Sequence, residues 1–239
     1  MQNFLIVGCT SGIGKALSEL LLQKGQNVLG AGRNTNVLRW FSEQYPQQFK
    51  GLELDLRKPE TIASRLSKAA QSFGPIDVVV VLSSITGRNP QLEWDIEEEV
   101  ILTNVLGWTA VCLWAAHYFE QRGAGHLVGV TSLAKYLSSV NPSYIASKAF
   151  EGKYLDGLRL RLEAKGIRVT EIMPGFVDTP MIADRKNKFW AIPADKAAQC
   201  LLKAIARKKR RAVISAKWKI FRYIAPHISA GLHLKLFRE

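Results

Sequence analysis

The stretch Phe4-Leu5-Ile6-Val7-Gly8-Cys9-Thr10-Ser11-Gly12-Ile13-Gly14 decides the fold of this chain. Its first four residues are apolar, and such a run predicts a strand that is buried on both faces. The glycines after it predict a tight turn, because glycine accepts backbone conformations that other residues avoid. A helical pattern of apolar residues follows over positions 16–21 and ends near Gly25. Strand, glycine-rich turn and helix in this order predict the opening of a parallel α/β fold.

The same alternation of short apolar runs and helical patterns continues along the chain. The runs are continuously apolar, which is typical of a parallel sheet that helices cover on both faces. We therefore predict an α/β fold with a Rossmann-type doubly wound parallel sheet of about seven strands. The predicted strands are residues 4–7, 28–31, 52–54, 78–82, 126–130, 168–172 and 212–214, and the predicted helices include residues 37–45, 96–122, 143–165 and 193–207.

Length and charge indicate one domain followed by a short tail. The 239 residues suit one domain, and 47% of them are hydrophobic, so a large core is expected. The net charge of +13 is uneven, because residues 203–239 hold eleven Lys or Arg and one acid. We predict a single domain over residues 1–215, which includes the active site, and a basic amphipathic helical tail over residues 216–239.

Sequence features that mark other locations are missing, which predicts a cytoplasmic protein. No stretch has the apolar length expected of a membrane-spanning helix, and the N-terminus lacks a secretory signal pattern. The three cysteines, Cys9, Cys112 and Cys200, lie far apart and favour reduced thiols over a disulfide framework. Neither they nor the four histidines have the spacing of metal ligands, so no metal site is expected.

The tail combines an apolar stripe with many basic residues. Trp218, Phe221, Ile224 and Ile228 recur at helical spacings, and Pro226 is expected to end the helix. Apolar and basic faces suit a helix that lies peripherally on an anionic inner membrane surface. The alternative is that the stripe packs on the protein's own core or on a partner subunit. No nucleic-acid partner is predicted, because no recognised binding fold accompanies the basic residues.

The glycine-rich turn also predicts a binding site. Glycines let backbone N–H groups approach a pyrophosphate, and the helix N-terminus then faces its negative charge. The alternative is a plain connection between strand and helix. The place of the turn after the first strand of a βαβ pattern favours a dinucleotide site.

Arg33 and Asn34, at the end of the second predicted strand, indicate which dinucleotide binds. Folds that bind NAD usually place an acidic residue there, which bonds the ribose hydroxyl. An arginine would instead pair with the 2′-phosphate of NADP. The alternative is a solvated surface arginine, and we predict NADP(H) as the cofactor.

Tyr144 and Lys148 lie four residues apart at the start of a predicted helix and so share one helix face. A free phenol ionises near pH 10, and a nearby ammonium favours the phenolate. The pair alone is weak evidence, because most pairs with this spacing lie on plain helix surfaces.

Further motifs surround this pair in a characteristic order. They are Gly8-x-x-x-Gly12-Ile13-Gly14, Asn104, Ser132, Tyr144-x-x-x-Lys148 and Pro174-Gly175-x-Val177-x-Thr179. Together they resemble the short-chain dehydrogenase/reductase family, over residues 3 to about 215. Each motif is common by itself, but the joint pattern is specific.

The resemblance implies roles for four catalytic residues. Tyr144 is the general acid in reduction and the general base in oxidation. Lys148 bonds the nicotinamide ribose and favours ionisation of Tyr144. Ser132 hydrogen-bonds the substrate oxygen, although its neighbour Thr131 is an alternative. Asn104 holds the long helix open and supports a water relay towards Lys148, or merely hydrogen-bonds a break in that helix.

The resemblance also implies a set of cofactor contacts. Asp55 and the backbone of Leu56 resemble the pair that contacts the adenine, although Asp55 could be only a turn or capping residue. The segment after the sixth predicted strand resembles the one that orients the nicotinamide. The predicted cofactor-binding residues are Gly8, Thr10, Ser11, Gly12, Ile13, Gly14, Arg33, Asn34, Asp55, Leu56, Ser83, Tyr144, Lys148, Pro174, Gly175, Val177 and Thr179.

Two positions depart from the family pattern. The family usually has Asn-Asn-Ala-Gly after the fourth strand, where this chain has Val81-Leu82-Ser83-Ser84. It usually has Thr before the first glycine, where this chain has Val7. We expect packing between apolar groups to replace a hydrogen bond without leaving a polar group unpaired. The departure affects the cofactor contacts expected near Ser83 and Ser84.

The family resemblance implies an NADPH-dependent oxidoreductase that transfers a hydride between nicotinamide and a small-molecule carbonyl or alcohol. The alternatives are a catalytically idle NADP(H)-binding sensor and a membrane-surface scaffold. The substrate is not evident, although residues 181–192 are expected to form a lid with apolar residues and a basic rim. A homodimer or homotetramer is expected through the apolar helices near residues 100–119 and 145–162.

Overall fold

A parallel sheet of seven strands, in the order β3-β2-β1-β4-β5-β6-β9, forms the centre of the protein. The fold comes from a computed structural model that describes residues 1–87, 89–137, 141–183, 188, 190–224, 227–228 and 231. Two short strands, β7 and β8, pair separately. The strands are β1 (Asn3–Val7), β2 (Asn27–Gly32), β3 (Phe49–Glu53), β4 (Val78–Val81), β5 (His126–Val130), β6 (Arg168–Pro174), β7 (Val177–Asp178), β8 (Ile192–Pro193) and β9 (Arg211–Ile214).

Helices connect the strands and cover both faces of the sheet. Helix α4 continues through a π-helical segment, Ile101–Gly107, into α5, and short 3-10 turns follow β5 and β7. The α-helices are α1 (Gly12–Gln23), α2 (Thr35–Gln44), α3 (Pro59–Phe73), α4 (Trp94–Val100), α5 (Trp108–Arg122), α6 (Pro142–Glu163), α7 (Ala194–Ala206) and α8 (Ala216–Ile224).

Alternate side chains of each strand belong to two hydrophobic cores, one on each face of the sheet. In β1, Leu5 and Val7 join one core with Trp108 of α5, whereas Phe4 and Ile6 join the other, on the opposite face. All of these side chains are buried. Burial of one such side chain contributes about 1.5–3 kcal/mol, so a continuously apolar strand is stabilised from both sides.

The strand order reverses beside β1, which lies between β2 and β4. The chain runs outward in opposite directions from this point. The connections after β1 and β4 therefore separate and leave a crevice at the carboxyl ends of the strands. The predicted fold is confirmed, and the crevice lies at the glycine-rich turn.

Some predicted element boundaries were wrong. The third strand was predicted at residues 52–54 and lies at Phe49–Glu53, because the side chain of Phe49 is buried against Phe41 of α2. The helix predicted over residues 96–122 contains the π-helical segment. The backbone hydrogen bonds of such a segment join residues five apart, and such segments are frequent at functional sites.

The expectation that no stretch has the length of a membrane-spanning helix was also wrong. The continuous helix Trp94–Arg122 is long and apolar enough by length and composition. However, 56% of its most apolar window is buried inside the fold. The helix contacts α3 and α6, so its apolar composition reflects a place in the core.

The tail begins with α8, whose apolar stripe divides between core and surface. Trp218 is buried against Leu133 and Met173, with Phe221 packed beside it. Ile224 is half exposed. Packing on the protein's own core therefore accounts for the first part of the stripe. The predicted helix break at Pro226 lies outside the described residues, as do residues 232–239.

Gly107 provides a test of the packing between the long helix and the sheet edge. A Cβ atom there would lie 2.0 Å from the carbonyl oxygen of Leu56. We expect Gly107→Ala to lower the free energy of unfolding by about 1–3 kcal/mol, because the backbones must separate. Gly157→Ala in α6 is the matched control, because a Cβ atom there meets nothing within 4 Å.

The control substitution should raise stability by up to about 1 kcal/mol, since alanine favours helix more than glycine. Thermal and denaturant unfolding of both variants measure the difference. Equal stability of the two variants would contradict the close contact.

Candidate active site

A cavity of about 1020 Å³ lies at the carboxyl ends of the strands. It extends from the glycine-rich turn and the ends of β2 and β3 to α6 and the segment after β6. Every residue predicted to bind the cofactor lines this cavity. Of the four predicted catalytic residues, Ser132, Tyr144 and Lys148 line it as well, and Asn104 does not.

The glycine-rich turn is closely packed. A Cβ atom on Gly14 would lie 1.9 Å from the carbonyl oxygen of Gly8, so the first turn of α1 rests on the end of β1. Gly8 itself has φ +99°, and a Cβ atom there would meet Ser83. Ser11, at the N-cap of α1, makes no side-chain capping bond. The first amides of α1 thus lie in the cavity wall without a side-chain cap, as a pyrophosphate site requires.

The apolar residues that replace the family's polar groups pair across β1 and β4. Val7 lies beside Val81 in the sheet, and both are buried. The carbonyl oxygen of Val7 accepts bonds from the amides of Leu82 (2.8 Å) and Ser83 (3.0 Å). Backbone hydrogen bonds and packing therefore connect the two strands. Ser83 lines the cavity.

Four charged groups form a cluster at the β2 and β3 end of the cavity. Arg57 bonds Asp55 at 2.6 Å and Glu99 at 3.2 Å, and Glu99 lies 3.9 Å from Arg33. The hydrogen bond from Arg57 lowers the pKa of Asp55 below its usual value. The Asp55 carboxylate also accepts the Arg57 backbone amide, which is the turn role considered as an alternative.

Sequence reasoning missed Arg57 and Glu99, because nothing local in the sequence shows that α4 reaches this end of the cavity. The side chain of Asn34 accepts the amide of Val37 and so caps α2. Arg33 is about half exposed, and its guanidinium lies 3.9 Å from the carboxylate of Glu99. The cluster therefore holds two guanidinium groups and two carboxylates, and of these Arg33 and Asp55 line the cavity, where a bound phosphate would meet them.

Tyr144 and Lys148 lie in the first two turns of α6, which begins at Pro142. The Nζ atom of Lys148 is 5.7 Å from the centre of the Tyr144 ring. Lys148 is almost fully buried, and its Nζ contacts both carboxylate oxygens of Glu151, at 2.7 and 3.0 Å. Sequence reasoning missed Glu151, although its spacing of three from Lys148 on one helix was a usable signal.

Asn104 lies behind the cavity wall, within the π-helical segment, and is fully buried. Its Oδ1 accepts bonds from the amide of Ile85 (2.9 Å) and the hydroxyl of Ser84 (3.2 Å). Its Nδ2 donates to the carbonyl of Ile85 (2.8 Å) and to the hydroxyl of Ser147 (3.1 Å). One side chain thereby connects the loop after β4 to α6, the helix that carries Tyr144.

Ser132 and its neighbour Thr131 differ in what their hydroxyl groups contact. The Thr131 hydroxyl is buried and donates to the carboxylate of Glu171 at 2.9 Å. The Ser132 hydroxyl accepts the amide of Ala134 at 3.0 Å, which leaves its own proton for another acceptor. This difference favours Ser132 as the donor to a molecule in the cavity.

The end of the cavity beyond Tyr144 has an aromatic wall from the tail. Trp218 of α8 lines the cavity and stacks edge-on with Phe176, Trp190 and Phe221. A Cβ atom on Gly175 would lie 2.3 Å from the Trp218 ring. The sequence left open whether the apolar stripe of the tail lies on a membrane surface or packs on the protein's own core. The absence of a side chain at Gly175 lets Trp218 pack there.

The predicted lid is described only in part. Met181 and Ile182 line the cavity, and Lys188 pairs with Asp178 at 3.1 Å. Trp190 lies against the ring of Trp218. Residues 184–187 and Phe189 lie outside the described residues.

The arrangement combines an elongated cleft with one polar centre. The glycine-rich end presents the first turn of α1, and the opposite end has an apolar wall. Between them lie a phenol, an ammonium and a hydroxyl, which together suit the transfer of one proton to or from a substrate oxygen. Among the described residues, no group of three or more His, Cys, Asp or Glu side chains could hold a metal ion.

Comparisons with known proteins identify a matching family. The family model described as short chain dehydrogenase matches residues 2–189. An uncharacterized oxidoreductase of Myxococcus xanthus is 31% identical over 228 residues, which cover 92% of this chain and 88% of the relative. An uncharacterized oxidoreductase of Staphylococcus aureus is 30% identical over 217 residues, which cover 86% of this chain and 91% of that protein.

Solved structures share the fold at lower identity. A short chain dehydrogenase of Burkholderia cenocepacia, in complex with NADP, has a TM-score of 0.82 at 20% identity and covers 100% of both chains. A short-chain dehydrogenase of Sphingobium yanoikuyae, in complex with NADPH, has a TM-score of 0.78 at 20% identity and covers 92% of each chain.

Proposed function

This chain belongs to the short-chain dehydrogenase/reductase family, and we propose that it catalyses the NADPH-dependent reduction of a carbonyl to an alcohol, or the reverse oxidation. Membership makes it an oxidoreductase that acts on CH–OH or C=O groups of a small molecule with a nicotinamide cofactor. One observation carries the finer proposal: Tyr144, Lys148 and Ser132 line the same cavity as the glycine-rich turn.

Side chains of this protein carry out the proton transfer. The bound cofactor supplies the hydride in reduction and accepts it in oxidation. The Tyr144 hydroxyl donates its proton to the carbonyl oxygen in reduction and removes a proton from the alcohol in oxidation. The Ser132 hydroxyl donates a hydrogen bond to the same oxygen, and the ammonium of Lys148 favours the phenolate that Tyr144 becomes.

Asn104 holds the catalytic side chains in place from behind the cavity wall. Its bonds to Ile85 and Ser147 join the loop after β4 to α6. A water relay towards Lys148 remains part of the proposal. The alternative of a catalytically idle sensor is less favoured, because such a protein has no need of an acid, a donor and a cation at one cavity.

NADP(H) is the proposed cofactor because Arg33 stands where an acidic residue would exclude a 2′-phosphate. Arg57 does not line the cavity, but it pairs with Glu99 and so competes with Arg33 for that carboxylate. The doubly charged 2′-phosphate is a stronger partner for Arg33 than the carboxylate of Glu99, which is 3.9 Å away. NADP and NADPH complexes of the similar structures support the same choice.

The substrate is proposed to carry an apolar group beside its reactive carbon. The described side chains beyond Tyr144 are apolar or neutral, and Trp218 gives the largest flat surface among them. Desolvation of an apolar group against this wall favours binding. The neighbouring residues of this wall are Leu133, Leu137, Phe176, Met181 and Ile182.

The chain is also proposed to be cytoplasmic, with one domain over residues 1–215 and a tail over 216–239. All three cysteines are unpaired. A contact of the tail with an anionic membrane surface has weaker support, because Trp218 of its apolar stripe is buried inside the protein. The alternative of such a contact rests on Ile220 and Tyr223 of α8, which are exposed.

Replacement of Tyr144 tests the proton step. Tyr144→Phe should lower turnover roughly 100-fold or more, because the general acid is lost, while binding of NADPH is retained. A panel of apolar ketones gives the rate, and quenching of tryptophan fluorescence gives the cofactor affinity. Tyr154→Phe on the same helix is the control, since Tyr154 packs against Trp108 and does not line the cavity. Near-normal turnover of the Tyr144 variant would refute the assignment.

Replacement of Arg33 tests the choice of cofactor. Arg33→Asp should weaken NADPH binding about tenfold or more and bring NADH closer in affinity, because repulsion replaces attraction at the 2′-phosphate. Arg39→Asp makes the same charge change on α2, at a residue that does not line the cavity. It therefore controls for the long-range electrostatic effect of the charge change. Titrations that find the same NADPH affinity for the Arg33 variant and the wild type would exclude Arg33 as the phosphate contact.

Exposed apolar side chains on the long helices support a proposed homodimer or homotetramer. The side chains exposed in the single chain are those of Ile101 and Leu106 just before α5, Leu113 in α5, and Phe150 and Leu160 in α6. Sedimentation analysis at micromolar concentration should give a dimer or tetramer, which Leu113→Glu weakens. Ile220→Glu, at an exposed position of α8, should leave the mass unchanged. A strictly monomeric wild type would contradict the assembly.

A further inference from the structure

The contact between Lys148 and Glu151 gives the cavity a buried ion pair directly beneath its wall. The Nζ of Lys148 lies 2.7 Å from Oε1 and 3.0 Å from Oε2 of Glu151. Glu151 is fully buried and does not line the cavity, whereas Lys148 does. An ammonium has three N–H donors, so at least one remains for a molecule in the cavity.

A buried carboxylate such as that of Glu151 needs a neighbouring group that stabilises it. Removal of an ionised carboxylate from water is costly unless a cation compensates for it. Burial raises the pKa of Glu151 to about 7, and the attraction of Lys148 opposes that rise. The ammonium of Lys148 therefore favours the charged form of Glu151, which burial alone would disfavour.

Groups on neighbouring elements also face Glu151. The 3-10 turn after β5 carries Lys135, and β6 carries Glu171, which bonds Lys135 and also interacts with Glu151. From α5, the buried thiol of Cys112 faces Glu151, whose charge adds to the effect of burial in raising the pKa of Cys112.

These outer charges are largely paired with one another. Besides Lys135, Glu171 has Arg211 3.2 Å from its second carboxylate oxygen. Arg211 in turn pairs with the carboxylate of Asp156. Lys148 is therefore the cation that holds Glu151 directly.

We propose that Glu151 is a positioning residue for the reaction, which holds the ammonium of Lys148 beneath the cavity and sets how strongly Lys148 favours the phenolate of Tyr144. The inference rests on the proposed function of Tyr144. An ammonium near the phenol favours its ionisation, and a carboxylate on that ammonium opposes the effect. Loss of the negative charge therefore allows the phenolate to form at lower pH.

Glu151→Gln tests the proposal with little change in shape. The amide oxygen still accepts an N–H bond from Lys148, but the charge is gone. In alcohol oxidation, the acid limb of the pH profile of kcat/KM should move to lower pH by on the order of one unit. Glu151→Asp, which keeps the charge on a shorter chain, should leave the limb in place and lower kcat.

A second measurement needs neither substrate nor cofactor. Ultraviolet difference absorbance follows the formation of tyrosinate with pH, and subtraction of the Tyr144→Phe titration isolates the signal of Tyr144. That signal should also appear at lower pH in Glu151→Gln. If no carbonyl or alcohol is turned over by the wild type, the proposed function fails, and this titration still decides the role of Glu151.

The matched control is Glu163→Gln, the same substitution on the same helix. Glu163 pairs with Arg210 at the far end of α6, fifteen residues from Lys148. It should change neither the profile nor the tyrosinate titration. If Glu151→Gln fails to fold, Glu151→Met replaces it, because a flexible apolar side chain of similar length suits a buried site. The proposal is wrong if Glu151→Gln moves neither the acid limb of the kcat/KM profile nor the tyrosinate titration. A shift of either one to higher pH would also overturn it.

Discussion

The close backbone contact between Gly8 and Gly14 is the constraint on which the site depends. The carbonyl oxygen of Gly8 occupies the space where any other residue at position 14 would place its Cβ atom. This contact lets α1 begin directly against the end of β1, with its first amides in the cavity wall. A side chain at position 14 would separate strand and helix and move the amides away from the place where a phosphate is proposed to lie.

The cavity is built in two layers with different physical roles. Its lining consists of backbone, small polar groups and apolar side chains that meet a bound molecule. Behind the lining lie Asn104 and Glu151, both fully buried, which touch the lining residues and not the cavity. Buried polar groups of this kind are stable only when their hydrogen bonds are satisfied, so they hold their partners in defined positions. The π-helical segment brings Asn104 into this second layer.

Much of the fold and part of the site follow from local sequence. Continuous apolar runs predict buried parallel strands, and residues that follow those strands meet at one edge of the sheet. For this reason Gly8, Ser83 and Ser132, far apart in the chain, line one cavity. Contacts between distant helices were not predictable in this way. The approach of Glu99 to Arg33 depends on the angle of α4, and the place of Trp218 depends on how α8 returns to the sheet, and no local pattern encodes either.

The packing of Trp218 on Gly175 has a consequence for synthesis of the protein. The chain emerges from the ribosome from its N-terminus, so the glycine-rich turn and Tyr144 are made long before α8. A nascent chain that ends before residue 216 contains every element of the nucleotide end but lacks one wall of the substrate end. The two halves of the cavity are therefore completed at different times, and the wall that contacts the substrate is the last part of the cavity to be made.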